Sequence, residues 1–148
     1  MKKNISMLLF VFTLSCLFAL PVSAQETQAP QVEYLGDGEY LVTVIEEQVP
    51  ENTISLFSVQ KTKNASKTVT SYKNNKAQWA LTVYGTFSYN GLSSYAKSVS
   101  ASISYYVTGL TVNSRGHYTS GNSATAYATV NSVYRSVTLY CDKNGKLS

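Results

Sequence analysis

The chain has 148 residues, 44% of them hydrophobic, with 12 lysines and arginines against 8 aspartates and glutamates and a formal net charge of +4. That length suits one domain with a modest core. One histidine and two cysteines fall short of the four ligands of a structural zinc, and scattered lysines without an arginine cluster argue against nucleic acid as a partner.

The first 24 residues have the pattern of a secretory signal peptide. Lys2 and Lys3 precede an apolar run over residues 7–19, Pro21 breaks it, and Val22-Ser23-Ala24 offers small residues for cleavage after Ala24. A membrane helix is the alternative, and the run falls short of the ~20 apolar residues a span needs. A lipoprotein site at Cys16 fits less well, because Thr13 stands where leucine is usual and the apolar run continues to Leu20. The expected location is therefore extracellular, with cell-wall association as the finer expectation, and no later segment is expected to span a membrane.

Removal of the signal leaves 124 residues with Cys141 as the one cysteine, so no intramolecular disulfide can form and the core must suffice. Cys141 shares parity with Val137 and Leu139, against Ser136, Thr138 and Tyr140. This suggests a small buried hydrophobe at a strand end, the alternative being a free thiol for intermolecular pairing or metal.

Charge divides the remaining chain. Residues 25–52 hold Glu26, Glu33, Asp37, Glu39, Glu46, Glu47 and Glu51 and no cation, whereas residues 53–148 hold ten basic groups against Asp142 alone. Three arrangements fit this split. The acidic segment can neutralise the basic domain, with residues 40–45 added as an edge strand. The basic domain can face an anionic partner such as teichoic acid, acidic polysaccharide or lipid headgroups. Or the acidic segment can be a pro-region that masks the domain until cleavage.

Taken in order, residues 25–33 are polar, contain Pro30 and suggest a flexible leader. Gly36-Asp37-Gly38 suggests a turn, residues 39–46 a strand, and Pro50-Glu51-Asn52 a boundary between an acidic leader at 25–52 and a basic domain at 53–148. Residues 54–59 fit either a short strand or a docked linker, and residues 61–64 read as a loop. A Thr- and Val-rich strand follows at 67–72, then the turn Lys73-Asn74-Asn75-Lys76.

Residues 77–89 carry the clearest signal. Trp79, Leu81, Val83 and Phe87 share one parity, while Ala80, Thr82, Tyr84, Thr86 and Ser88 take the other, the period-2 pattern of a half-buried strand. Asn90-Gly91 then predicts a type I′ hairpin. The return strand at 97–107 sets Val99, Ala101, Ile103, Tyr105 and Val107 against four serines. Turns are expected at 113–116 and 120–122. A strand in which Ala124, Ala126, Ala128 and Val130 face inward suggests packing against a bulky partner such as Trp79. A last strand at 133–141 ends in the turn Asp142-Lys143-Asn144-Gly145.

No helical periodicity follows the signal. Six to eight short strands with regular turns predict an all-β fold, a single antiparallel β-sandwich immunoglobulin-like in architecture, with a small barrel as the alternative. The Cys-Trp-Cys spacing of a true immunoglobulin domain is missing.

The segments Ser66-Lys67-Thr68-Val69-Thr70, Lys73-Asn74-Asn75, Trp79, residues 82–91 (TVYGTFSYNG), Gly121-Asn122 and residues 137–145 (VTLYCDKNG) resemble a family of small secreted proteins of Gram-positive gut bacteria that carry a domain of unknown function. The likeness covers roughly residues 60–148 and rests on turn and core patterns, so it implies a fold and no activity. Members of that family often carry a second cysteine after the YNG hairpin or in the alanine-rich strand, and this chain has none there.

Catalytic constellations are sparse. His117 is the lone histidine, Asp142 the lone carboxylate of the basic region, and a Cys141–His117–Asp142 trio has no supporting motif. Paired carboxylates for glycoside hydrolysis would have to come from the acidic leader, and no phosphate-binding glycine loop is present. The chain is not expected to be an enzyme or to use a cofactor. Binding is better supported. Tyr84, Tyr127 and Tyr140 have outward parity on three strands, and with Lys97 and Arg135 nearby they suit sugar rings or an anionic glycan. Cross-strand pairing within the sheets would also explain the tyrosines. The sequence thus suggests a secreted, non-enzymatic module for the cell envelope or another anionic surface, the alternative being a secreted effector, either bacteriocin-like or a precursor masked by its acidic leader.

Overall fold

A computed structural model of the chain describes residues 28–48 and 60–148. The expected signal peptide at 1–24, the expected boundary at 50–52 and the undecided element at 54–59 lie outside the described residues. Among the described residues eight strands form: β1 Gln31–Gly36, β2 Glu39–Gln48, β3 Lys61–Lys73, β4 Lys76–Tyr89, β5 Ser94–Tyr105, β6 Val112–Ser120, β7 Ser123–Val130 and β8 Val133–Tyr140. They pair antiparallel in chain order, as a five-stranded sheet β1-β2-β3-β4-β5 and a three-stranded sheet β6-β7-β8. This is the expected all-β sandwich. Its sheets are two successive meanders joined through residues 106–111, a simpler connection than the Greek key of immunoglobulin domains.

Local chemistry explains the meanders. Asp37-Gly38, Asn74-Asn75 and Asn131-Ser132 each put two consecutive residues at positive φ (50° and 72°, 50° and 61°, 47° and 65°), as type I′ hairpins require. The expected type I′ turn at Asn90-Gly91 does not form, because Gly91 is left-handed and Asn90 is not. The Asn90 side chain instead accepts N–H bonds from Leu92 (3.0 Å) and Ser93 (2.9 Å), which holds a longer loop over 90–93.

The core forms where period-2 faces meet. Trp79, Leu81, Val83 and Phe87 of β4 are buried, and so are Ala124, Ala126, Ala128 and Val130 of β7, Val137 and Leu139 of β8, and Ile45 of β2. Burying each of the larger side chains contributes ~1.5–3 kcal/mol. A Cβ on Gly85 would lie 2.6 Å from the Phe87 ring and 3.1 Å from the Ala124 methyl. The ring therefore lies over Gly85, and the small β7 side chains let the two sheets close on it.

One end of the sandwich is sealed by the chain after β8. Cys141 bridges Leu147, and both are buried. Ser94 Oγ (2.6 Å) and Asn122 Nδ2 (3.0 Å) donate to the Cys141 carbonyl, and Gly91 N–H donates to that of Lys143 (2.8 Å). These bonds tie β5, the β6–β7 turn and the β4–β5 loop to one short segment.

Three local expectations are corrected. Residues 61–64 are the start of β3, since Lys61 and Lys63 pair with Tyr89 and Phe87 and the ladder outweighs their polarity. Residues 113–116 lie inside β6, where turn-forming residues make a bulge between Val112 and Ser114. Residues 31–33, expected in a flexible leader, belong to β1, which pairs along β2. The described part of the acidic stretch thus holds a hairpin, and ten residue pairs join its β2 to β3.

Candidate functional site

The three-stranded sheet separates chemistry by parity. Directly paired residues of an antiparallel ladder share a face. The face opposite the core therefore carries Ser114, Gly116, Tyr118 and Ser120 of β6, Ser123, Thr125, Tyr127 and Thr129 of β7, and Tyr134, Ser136, Thr138 and Tyr140 of β8. No charged residue stands among them.

The geometry of this face is set locally. A Cβ on Gly116 would collide with the Tyr127 ring, so the missing side chain lets that ring lie flat across β6. Its centroid is 6.3 Å from that of Tyr134, with planes 30° apart. Tyr118, Tyr134 and Tyr140 are about half exposed, at 52%, 58% and 47%. The hydroxyls between the rings satisfy one another across strands, Thr125 with Thr138 at 3.0 Å and Ser114 with Thr129 at 3.0 Å. A flat array of rings and paired hydroxyls can stack on the C–H faces of a sugar and exchange hydrogen bonds with its hydroxyl groups.

Of the residues singled out from sequence, Tyr127 and Tyr140 share this face. Tyr84 does not, because β4 belongs to the other sheet; it pairs with Ser66 and Ser100 on the opposite side of the molecule. There it lines a groove of about 410 Å³ with Gln48, Asn64, Thr86 and Ser98. The three-tyrosine stripe is therefore not assembled. Lys97 is the extra, exposed residue of a β5 bulge opposite Thr86 and Phe87. Arg135 has inward parity on β8, where its Nη1 donates to the Tyr134 carbonyl at 3.1 Å and its buried Nε has no hydrogen-bond partner. Tyr118 and Tyr134 complete the face and were missed. Tyr134 has the outward parity of Tyr140, a usable signal, whereas Tyr118 follows a stretch that reads as a turn.

A second tyrosine ladder lies on the outer side of the five-stranded sheet. Tyr40 stacks on Tyr72 at 4.8 Å with planes 4° apart, and Tyr34 sits 5.9 Å from Tyr40.

Charge is concentrated on the inward parity of β2 and β3. Lys63 pairs with Glu47 at 2.8 Å and Lys73 with Glu39 at 3.1 Å. Lys67 stands between Ile45 and Val83, and burial pushes its pKa down. The two ion pairs hold the acidic hairpin against β3 at ~0.2–1 kcal/mol each.

The Cys141–His117–Asp142 trio does not come together. His117 lies across Ala126 from Val137, two strands away, and Cys141 is four residues beyond Val137. Strand spacings place the imidazole and thiol roughly 17 Å apart, far beyond the ~3 Å of a working base. Burial pushes the Cys141 thiol pKa up, further from a reactive thiolate. Among the described residues no group of three histidine, cysteine or carboxylate side chains could hold a metal ion, and no helix is long and apolar enough to cross a membrane.

Comparison with family models, curated proteins and solved structures returns no match to this chain.

Proposed function

We propose that the chain is a secreted, non-enzymatic binding module whose partner is a glycan of the cell envelope, held on the outer face of β6-β7-β8. The observation that carries this reading is the face itself, with Tyr118, Tyr127, Tyr134 and Tyr140 set among serines and threonines and no charge between them. Cross-strand pairing alone asks for rings that contact one another, yet Tyr118 and Tyr140 are half exposed and the close ring pair is Tyr127 with Tyr134. No lysine or arginine stands on the face, which suits the neutral units of an envelope polymer. The secretory pattern of residues 1–24 supports a location where such polymers are found.

The alternative of a precursor masked by its acidic leader draws on the same export signal. It asks that β1 and β2 be removable, and the ten-pair ladder to β3 with its two ion pairs weighs against that.

The test is a pull-down on purified Gram-positive cell walls, comparing the native chain with a Tyr127→Ala/Tyr134→Ala variant of matched circular dichroism. Loss of at least tenfold in retained protein supports the reading. Equal retention, or no retention of the native chain, overturns it.

A further inference from the structure

The long edge of the sandwich where β5 meets β6 is not closed by apolar side chains. A cleft of about 320 Å³ opens there, with Leu81, Ala101 and Ile103 beside Arg115, His117 and Tyr127. Its volume falls in the ~300–1,000 Å³ range of small-molecule sites.

Its two basic side chains, Arg115 and His117, are exposed at this edge. Arg115 and His117 are paired with Ala128 and Ala126, so they take the core-facing parity of β6, where β7 has alanine and β8 has Val137. Across the gap β5 offers Ala101, which is too small to fill it. Among the described residues no carboxylate lines the cleft, and neither Arg115 nor His117 has a side-chain hydrogen bond or ion pair. Glu39 and Glu47 are committed to Lys73 and Lys63 on β3. An arginine fork with no counterion, beside an imidazole and above an apolar floor, matches a ligand with an anionic group attached to a body with C–H faces. Tyr127 belongs both to this cleft and to the tyrosine face, so one chain of sugars can reach both.

We infer that this cleft is a subsite for the anionic unit of a saccharide, in which Arg115 and His117 hold a carboxylate or phosphate and Leu81 and Ile103 meet the ring. The inference rests on the glycan reading and adds the charge of the sugar recognised.

The test is titration of the full chain, followed by backbone and side-chain NMR, with galacturonate, galactose, galactose 6-phosphate and inorganic phosphate in turn. Binding to polygalacturonate and to a neutral glucan is measured for the native chain, Arg115→Gln and Tyr134→Ala. Saturable shifts at Arg115, His117 and Ala101 with galacturonate or galactose 6-phosphate, and none with galactose, support the subsite; the stronger of the two names the source of the anion. Arg115→Gln should weaken polygalacturonate at least tenfold and leave the neutral glucan unchanged. Equal shifts with inorganic phosphate mean an anion site without sugar recognition and overturn the inference, as do absent shifts or an unaffected Arg115→Gln. If Tyr134→Ala binds both polymers normally while the cleft shifts persist, the tyrosine face fails and the subsite stands.

Discussion

The inward parity of β3 and the outward parity of the three-stranded sheet are built from opposite materials. β3 turns Lys63, Lys67 and Lys73 toward the interior side, two of them matched by glutamates of β2. The outward parity of β6, β7 and β8 is tyrosine, serine, threonine and one glycine. Charge in this molecule therefore attaches an overhanging hairpin, while the broad face open to a partner is neutral. The +9 of residues 53–148 is accordingly a poor guide to where a partner sits, because part of it is answered within the sheet.

The largest effect expected is on the core that both regions share. Phe87 is fully buried and covers Gly85, so Phe87→Ala should cost ~3–5 kcal/mol in denaturant unfolding. A loss under about 1 kcal/mol would mean that the two sheets do not close on this ring.

Next comes the tyrosine face. Removing the Tyr127 and Tyr134 rings together should weaken glycan binding at least tenfold, about 1.4 kcal/mol. The expected cost in stability is only the ~0.2–1 kcal/mol of a cross-strand pair. A larger loss of stability than of binding would make these rings structural and erase the contrast between the two regions.

The hairpin's ion pair ranks third. Glu47→Gln removes the partner of Lys63, whose side chain is 17% exposed, and should cost ~0.5–1 kcal/mol at low salt, less in high salt, with glycan binding unchanged. A fall in binding would show that charge and face are coupled.

The smallest effect concerns the sealing turn. The Lys146 N–H, helped by those of Asn144 and Gly145, holds the Asp142 carboxylate below its ordinary value of 3.8. A carboxyl whose pKa is lower folded than unfolded stabilises the fold above the unfolded value, and this is lost as pH falls through the folded one. Native-state stability should therefore decline below about pH 4, and Asp142→Asn should flatten part of that decline. An unchanged acid limb would remove Asp142 from the account.

Periodicity made the inward face of β4 legible through Trp79, Leu81, Val83 and Phe87, but not the burial of Ala80, Thr82 and Ser88 on the face expected in solvent, and Asn and Gly marked most turns. The sandwich followed from those two signals. Pairing partners were not legible: parity says which way Tyr84 and Tyr127 point within their strands, and only long-range pairing puts them on opposite sides of the molecule. Lys61–Asn64 and Arg115 were misread for a related reason. Their side chains favour loops, and the backbone ladder that overrides this preference depends on residues far away in sequence. Within the face, Tyr127 and Tyr140 were recoverable from alternation, whereas Tyr118 was hidden behind the β6 bulge.

The most direct measurement is an amide shift map of the isotopically labelled chain titrated with soluble cell-wall glycan. The account predicts saturable shifts on the outward positions of β6, β7 and β8, foremost at Tyr118, Tyr127, Tyr134 and Tyr140. Shifts confined to the Tyr84 groove or to the Tyr34–Tyr40–Tyr72 ladder would contradict it.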